Sequence, residues 1–121
     1  MLKKAQKIID DESVVYVKIL TQHIDDLRPA LMSGEISQAI KICHLIQTQA
    51  GTFGWPLATE MAGWFKRLLK SQQQNGLKED VNDLFMDSFH TLLDKQLKTE
   101  SDSALKLLLH MEAQLKKIND I

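Results

Sequence analysis

Apolar residues recur three or four positions apart along almost the whole chain, and glycine or proline interrupts them at intervals. Gly34, the group Gly51-Gly54-Pro56, and Gly76 each fall between stretches with that helical spacing. The spacing gathers apolar side chains on one face of a helix, and that face then has to be buried. No stretch alternates convincingly as a strand would, and 5 Gly with 2 Pro are too few for an all-β chain full of tight turns. The chain is expected to be all-α.

Five helices are expected. The first, from about Asp11 to Met32, carries Val14, Val17, Leu20, Ile24, Leu27 and Leu31. Pro29 removes a donor inside its last turns and should bend or loosen them, and Gly34 is the terminator. The second covers about 35–50 and the third about 56–74, with Pro56 in a first turn that has no use for its N–H. The third should bury Leu57, Met61, Trp64, Phe65 and Leu68, and Gln72-Gln73-Gln74 reads as a polar approach to a loop. A fourth, about Lys78 to Leu97, shows Val81, Leu84, Phe85, Leu92 and Leu93. The fifth starts near the capping residues Ser101-Asp102, and its Ala104, Leu108, Met111, Leu115 and Ile118 follow the seam of a bundle helix. Short connections make successive helices antiparallel. The expected architecture is therefore an antiparallel four-helix bundle built from the second to fifth segments. An additional N-terminal helix packs across or along one end.

Composition narrows the classes of function. A chain of 121 residues with 44% hydrophobic content is one domain, read here as 1–121, with enough apolar material for a core. Fifteen Lys+Arg against 16 Asp+Glu leave a net charge of -1, so there is no electrostatic case for nucleic acid as a partner. Cys43 is the only cysteine, which excludes an internal disulfide and a cysteine-based zinc finger. Facing Glu-x-x-His pairs for a bundle metal site are absent, so no metal is expected. The longest apolar run, Val14 to Val17, is far too short to span a bilayer, and Asp10 and Asp11 break up any signal-peptide pattern. A cytoplasmic monomer with no membrane partner is expected.

The informative stretch runs from Glu35 to Trp55. On a helical wheel of about 100° per residue, Ile36, Ala39, Cys43, Ile46 and Ala50 cluster on one side, which should be the buried face. His44 lies roughly 120° from it, with Ile40, Gln47, Thr48 and Gly51 on the same outer stripe. Leu45 and Ile40 stand near the edge of the core face, where they either pack on the first helix or form an apolar docking surface. Cys43 and His44 point about 100° apart and make no catalytic pair. Cys43 reads as a small buried hydrophobe. His23, His90 and His110 carry no motif, and Lys66, Arg67 and Lys70 read as a solvated helix face with a weaker claim on a phosphate.

This stretch resembles the histidine-containing phosphotransfer (HPt) domains of phosphorelays. Their pattern is an acidic residue after Gly, nine residues before His-x-Leu-Lys-Gly-x-Ala-Gly-x-x-Gly. Gly34-Glu35 stands nine residues before His44, Ile46 replaces the core Leu, and Ala50, Gly51, Phe53 and Gly54 fall in the matching places. With the helix layout included, the resemblance covers Leu27 to Ile118. Two positions depart: Gln47 stands where the family has Lys, and Thr48 where it has Gly.

The resemblance implies that His44 is a phospho-acceptor which exchanges phosphoryl groups with receiver domains of a hybrid sensor kinase and a response regulator. It implies no cofactor of this chain's own, since the receiver supplies Mg²⁺ and the aspartate. The chemistry asks for an exposed neutral imidazole nitrogen on a rigid support, because phosphoryl transfer is chiefly positioning and charge stabilisation. No Gly-rich phosphate loop is present, so autonomous kinase activity is not expected. Gln47 in place of Lys exchanges a point charge for a neutral donor. At about 4 Å that charge is worth roughly 1 kcal/mol in water to 4 near a protein surface, enough to tune a phosphohistidine without removing the nucleophile. Lys41, one turn before His44, is expected to substitute in part, and Gly51 to keep the surface low beside the ring. Thr48 adds bulk and a hydroxyl, which would either bind a phosphate or obstruct docking. The alternatives are an HPt-like adaptor that docks receivers without passing phosphate, and an unrelated helical interaction module.

Overall fold

A computed structural model describes residues 2–97 and 102–119, with side-chain surroundings for 15–97 and 102–117. It contains α1 (Leu2–Met32), α2 (Ile36–Gln49), α3 (Pro56–Asn75), α4 (Glu79–Asp94) and α5 (Asp102–Asn119), and no strand among the described residues. The protein is all-α.

Three boundaries follow from local chemistry. α1 ends in a reciprocal cap: Glu35 N–H donates to Ala30 O at 2.8 Å and Gly34 N–H to Leu31 O at 3.2 Å. Gly34 adopts φ +74° to close it, the left-handed conformation that glycine enters without a Cβ penalty. Pro56 opens α3. α4 stops at Asp94, three residues short of the expected Leu97, through the same kind of cap as α1. Leu97 N–H donates to Leu92 O at 2.9 Å and Gln96 N–H to Leu93 O at 3.2 Å, with Gln96 at φ 52°. A glutamine in the position that glycine usually takes gives no stop signal in the sequence, hence the overshoot.

α1 ends at Met32 as expected but differs from expectation at its start. It begins at Leu2 rather than near Asp11, through a Lys-, Ala- and Gln-containing segment of good helix formers. Pro29 lies inside it, and the helix runs on to Met32.

The core joins all five helices. Leu20, Ile24 and Leu27 of α1 are fully buried with Ala39, Cys43 and Ile46 of α2, Met61, Phe65 and Leu69 of α3, Phe85, Phe89 and Leu92 of α4, and Met111 of α5. Phe65 stacks on Phe85 at 4.6 Å, and Trp64 meets Phe85 edge-on at 5.5 Å, both favoured aromatic geometries. Trp64, Leu68, Leu84, Leu93 and Leu108 pack half-buried around this centre, while Val14, Ser101 and Ile118 lie outside the residues whose side chains are described.

Among the described residues α2 packs most extensively on α3. α1 touches both α2 and α4, α3 touches α4, and α5 has its main contact with α4. Thus α1 to α4 form a closed ring of contacts, and α1 belongs to it rather than lying across an end as an addition. The reason is the unbroken stripe Tyr16-Leu20-Ile24-Leu27-Ala30, buried from the second side chain described on that helix almost to its end.

Gln72 corrects the polar-loop reading of 72–74. It is buried and exchanges hydrogen bonds with Asn82 of α4: Gln72 Nε2 donates to Asn82 Oδ1 at 2.8 Å, and Asn82 Nδ2 to Gln72 Oε1 at 3.2 Å. Lys78 N–H also donates to Gln72 Oε1, so one glutamine fixes the α3–α4 turn.

Candidate functional site

α2 is held on its inner face by Ala39, Ile42, Cys43 and Ile46 and leaves His44 and Leu45 exposed. Ile42 joins the inner face although it was absent from the expected set, and Ile36 is only half-buried. Anchoring at four positions within two turns gives the imidazole a rigid base. Leu45 beside it is 40% exposed, and Ile40, one turn earlier, is half-buried against the core.

α3 brings a cation to the ring. Lys66 Nζ stands 3.4 Å from His44 Nδ1, at the long end of hydrogen-bonding range. With a protonated Lys66 as the donor, Nδ1 is the acceptor and the ring proton belongs on Nε2. Lys41 is exposed on α2, but the cation that touches the imidazole comes from the neighbouring helix. The same ammonium acts on Cys43. Burial pushes that thiol up to about 12, and Lys66 opposes the rise. Such a thiol is inert at neutral pH.

Of the two residues that depart from the HPt pattern, one packs on α3 and the other bonds back to its own helix. Gln47 is half-buried and lies against Gly63 of α3, where a Cβ would stand 3.0 Å from Gln47 Nε2. Its Oε1 is buried with no hydrogen-bond partner. Beyond it an open groove continues past Gly63 and Trp64 to Arg67 and Leu108. Thr48 is exposed, and its hydroxyl donates back to His44 O at 3.0 Å and Leu45 O at 3.2 Å.

Gly51 is exposed at the end of α2, where its N–H donates to Thr59 Oγ1 at 2.7 Å. A Cβ on Gly51 would sit 3.2 Å from that same oxygen, so what its bare backbone accommodates is Thr59. Phe53, in the same connection, stacks on Tyr16 of α1 at 4.9 Å, and Trp55 N–H donates to Ala50 O at 2.8 Å. The α2–α3 connection is therefore fastened at both ends.

Lys66 and Gly63 are the site residues that the sequence did not single out as a pair. The signal was present as spacing: both lie on one face of α3, three apart. Recognising it requires knowing that this face crosses α2 at Gln47 and His44.

Among the described residues no cluster of three or more His, Cys, Asp or Glu side chains is placed to hold a metal ion, and no helix is long and apolar enough to cross a membrane. Comparison with protein-family models, with curated proteins and with solved structures gives no match for this chain.

Proposed function

We propose that the protein is a phosphoryl carrier of the HPt kind, a monomer of the cytoplasm that accepts a phosphoryl group on His44 from the aspartate of one receiver domain and hands it to another. One observation carries this reading: His44 is exposed in the middle of a helix anchored from behind, with a lysine of the next helix against its ring. A rigid, exposed imidazole is what such a nucleophile needs, and a docked receiver would contribute the metal and the reacting carboxylate. Transfer of this type draws on positioning and charge neutralisation more than on covalent help from the carrier. The motif spacing from Gly34-Glu35 through Gly54 supports the same assignment.

The test is transfer from phosphorylated receiver domains of the same organism to the protein and to His44→Gln. Acid-labile label on the natural sequence alone is the expected result. No label, with receivers still bound, would replace the relay by an adaptor that docks receivers silently. That second reading draws on Gln47, which lacks the charge of the family's lysine and packs on α3, and on Thr48, whose hydroxyl is engaged by its own helix. Neither label nor binding would leave an unrelated helical module.

A further inference from the structure

We propose that Lys66 is the cation that holds the phosphoryl group on His44, supplied from α3 because position 47 has no charge, and that it takes up this role by releasing Nδ1. The inference rests on the reading of His44 as a phosphoryl carrier and concerns how this particular chain performs it.

The starting point is an incompatibility at the ring. With the ammonium of Lys66 donating to Nδ1 at 3.4 Å, the remaining proton sits on Nε2, which then has no lone pair for attack. Attack through Nδ1 is blocked by the ammonium itself. Either route to an N–P bond requires Lys66 to leave Nδ1 first. The contact is long and solvent-exposed, so its release is inexpensive.

Once Lys66 has moved, water exchanges the ring proton from Nε2 to Nδ1. The Nε2 lone pair forms the bond to phosphorus as the acyl P–O bond of the receiver's phospho-aspartate breaks. The electron pair of that bond departs with the carboxylate. No electron is gained or lost overall, and the product carries its proton on Nδ1 and the phosphoryl group on Nε2. The displaced ammonium stays tethered beside the ring and pairs with the new phosphoryl oxygens as a charge-assisted contact.

Gln47 cannot take that place. Its amide lies across Gly63, and it carries no charge in any rotamer. Lys66 has the geometry that Gln47 lacks: it is half-exposed, on a rigid helix, and already at the imidazole.

A cation paired to the phosphoryl group stabilises the ground state more than the route to hydrolysis. Loss of the group passes through a metaphosphate-like state with less negative charge on the peripheral oxygens. Lys66 should therefore lengthen the life of phospho-His44.

Phosphoramidate, a donor that needs no receiver, tests this directly. Its P–N bond breaks as Nε2–P forms, and ammonia leaves. The natural protein, Lys66→Arg and Lys66→Met are phosphorylated, with His44→Gln as the blank, and loss of acid-labile label is followed by ³¹P NMR at low and high salt. Lys66→Met is expected to lose its label about three- to tenfold faster than the natural protein. Lys66→Arg should keep the slow rate, and added salt should narrow the gap. Equal lifetimes for all three, or a salt-independent difference, would overturn the role of Lys66 and leave His44 as the carrier. A ¹H–¹⁵N spectrum that places the phosphoryl group on Nδ1 would overturn attack through Nε2 and the proton exchange that precedes it. No label on the natural protein, while free imidazole in the same tube is phosphorylated, would overturn the carrier reading itself.

Discussion

Gln47 lies across Gly63, so close that a Cβ on the glycine would stand 3.0 Å from the glutamine's amide nitrogen. Alanine at 63 would recover about 1 kcal/mol of helix propensity and needs only the far end of a flexible side chain to move. Gly63→Ala is expected to stay within about 1 kcal/mol of the natural stability. Gly63→Leu has to force α2 from α3 and should cost more than about 2 kcal/mol. Urea denaturation of the two variants checks both, and equal stabilities would show that the crossing is looser than the geometry says.

Tyr16 presents a second contrast. Its ring is buried against Phe53, yet its hydroxyl is buried with no hydrogen-bond partner. Tyr16→Phe should therefore be neutral or slightly stabilising, since it deletes an unsatisfied group. Tyr16→Ala should cost about 3–5 kcal/mol and loosen the 50–55 connection. Thermal unfolding, with amide exchange at Phe53 as the local probe, separates the ring's contribution from the hydroxyl's.

The reciprocal pair Gln72–Asn82 is expected to behave as a unit. Replacing either alone by an apolar residue strands the other and should cost about 1–3 kcal/mol. Replacing both should cost clearly less than the two single losses added together. A double-mutant cycle in urea measures this, and strict additivity would mean that the pair is not coupled.

Cys43 sets an alkaline limit. Its thiol is pushed up to about 12 in the folded protein, against an ordinary value of 9.0. Below pH 9 both states hold the proton and the group contributes its full stability. Between 9 and 12 the unfolded chain releases the proton while the folded one keeps it, so stability falls as pH rises. The slope from this group is about 1.4 kcal/mol per pH unit. Cys43→Ala should flatten the curve between pH 9 and 10, before Tyr16, whose phenol burial also raises, begins to contribute. Thiol reagents at pH 8 should modify the protein only after unfolding.

The helices and most of the core were legible because their signals are periodic. Leu20, Ile24, Leu27, Met61, Phe65, Phe85 and Met111 are buried as their spacing requires. Gln96 was invisible as a helix stop, because only the folded backbone reveals its positive φ. Tyr16 and Gln72 were missed for a different reason. A phenol and an amide read as polar in a sequence, whereas their burial depends on Phe53 and Asn82 arriving from other elements. At the site, the exposure of His44 followed from the wheel. The contact with Lys66 did not, since the crossing of two helices, and not the order of residues in either, sets a distance between residues 22 positions apart.

Thr48 bears on what a visiting molecule meets beside the ring. Its hydroxyl proton is shared between two carbonyls of its own helix, which leaves the methyl group and the side chain of Leu45 as the rim beside the imidazole on that side. Such a rim sheds water when covered and asks for no particular acceptor above it. For a carrier of the proposed kind, selectivity would then belong to shape on one flank and to charge on the other. Exchange of Thr48 for valine would keep that shape and lose only the hydroxyl.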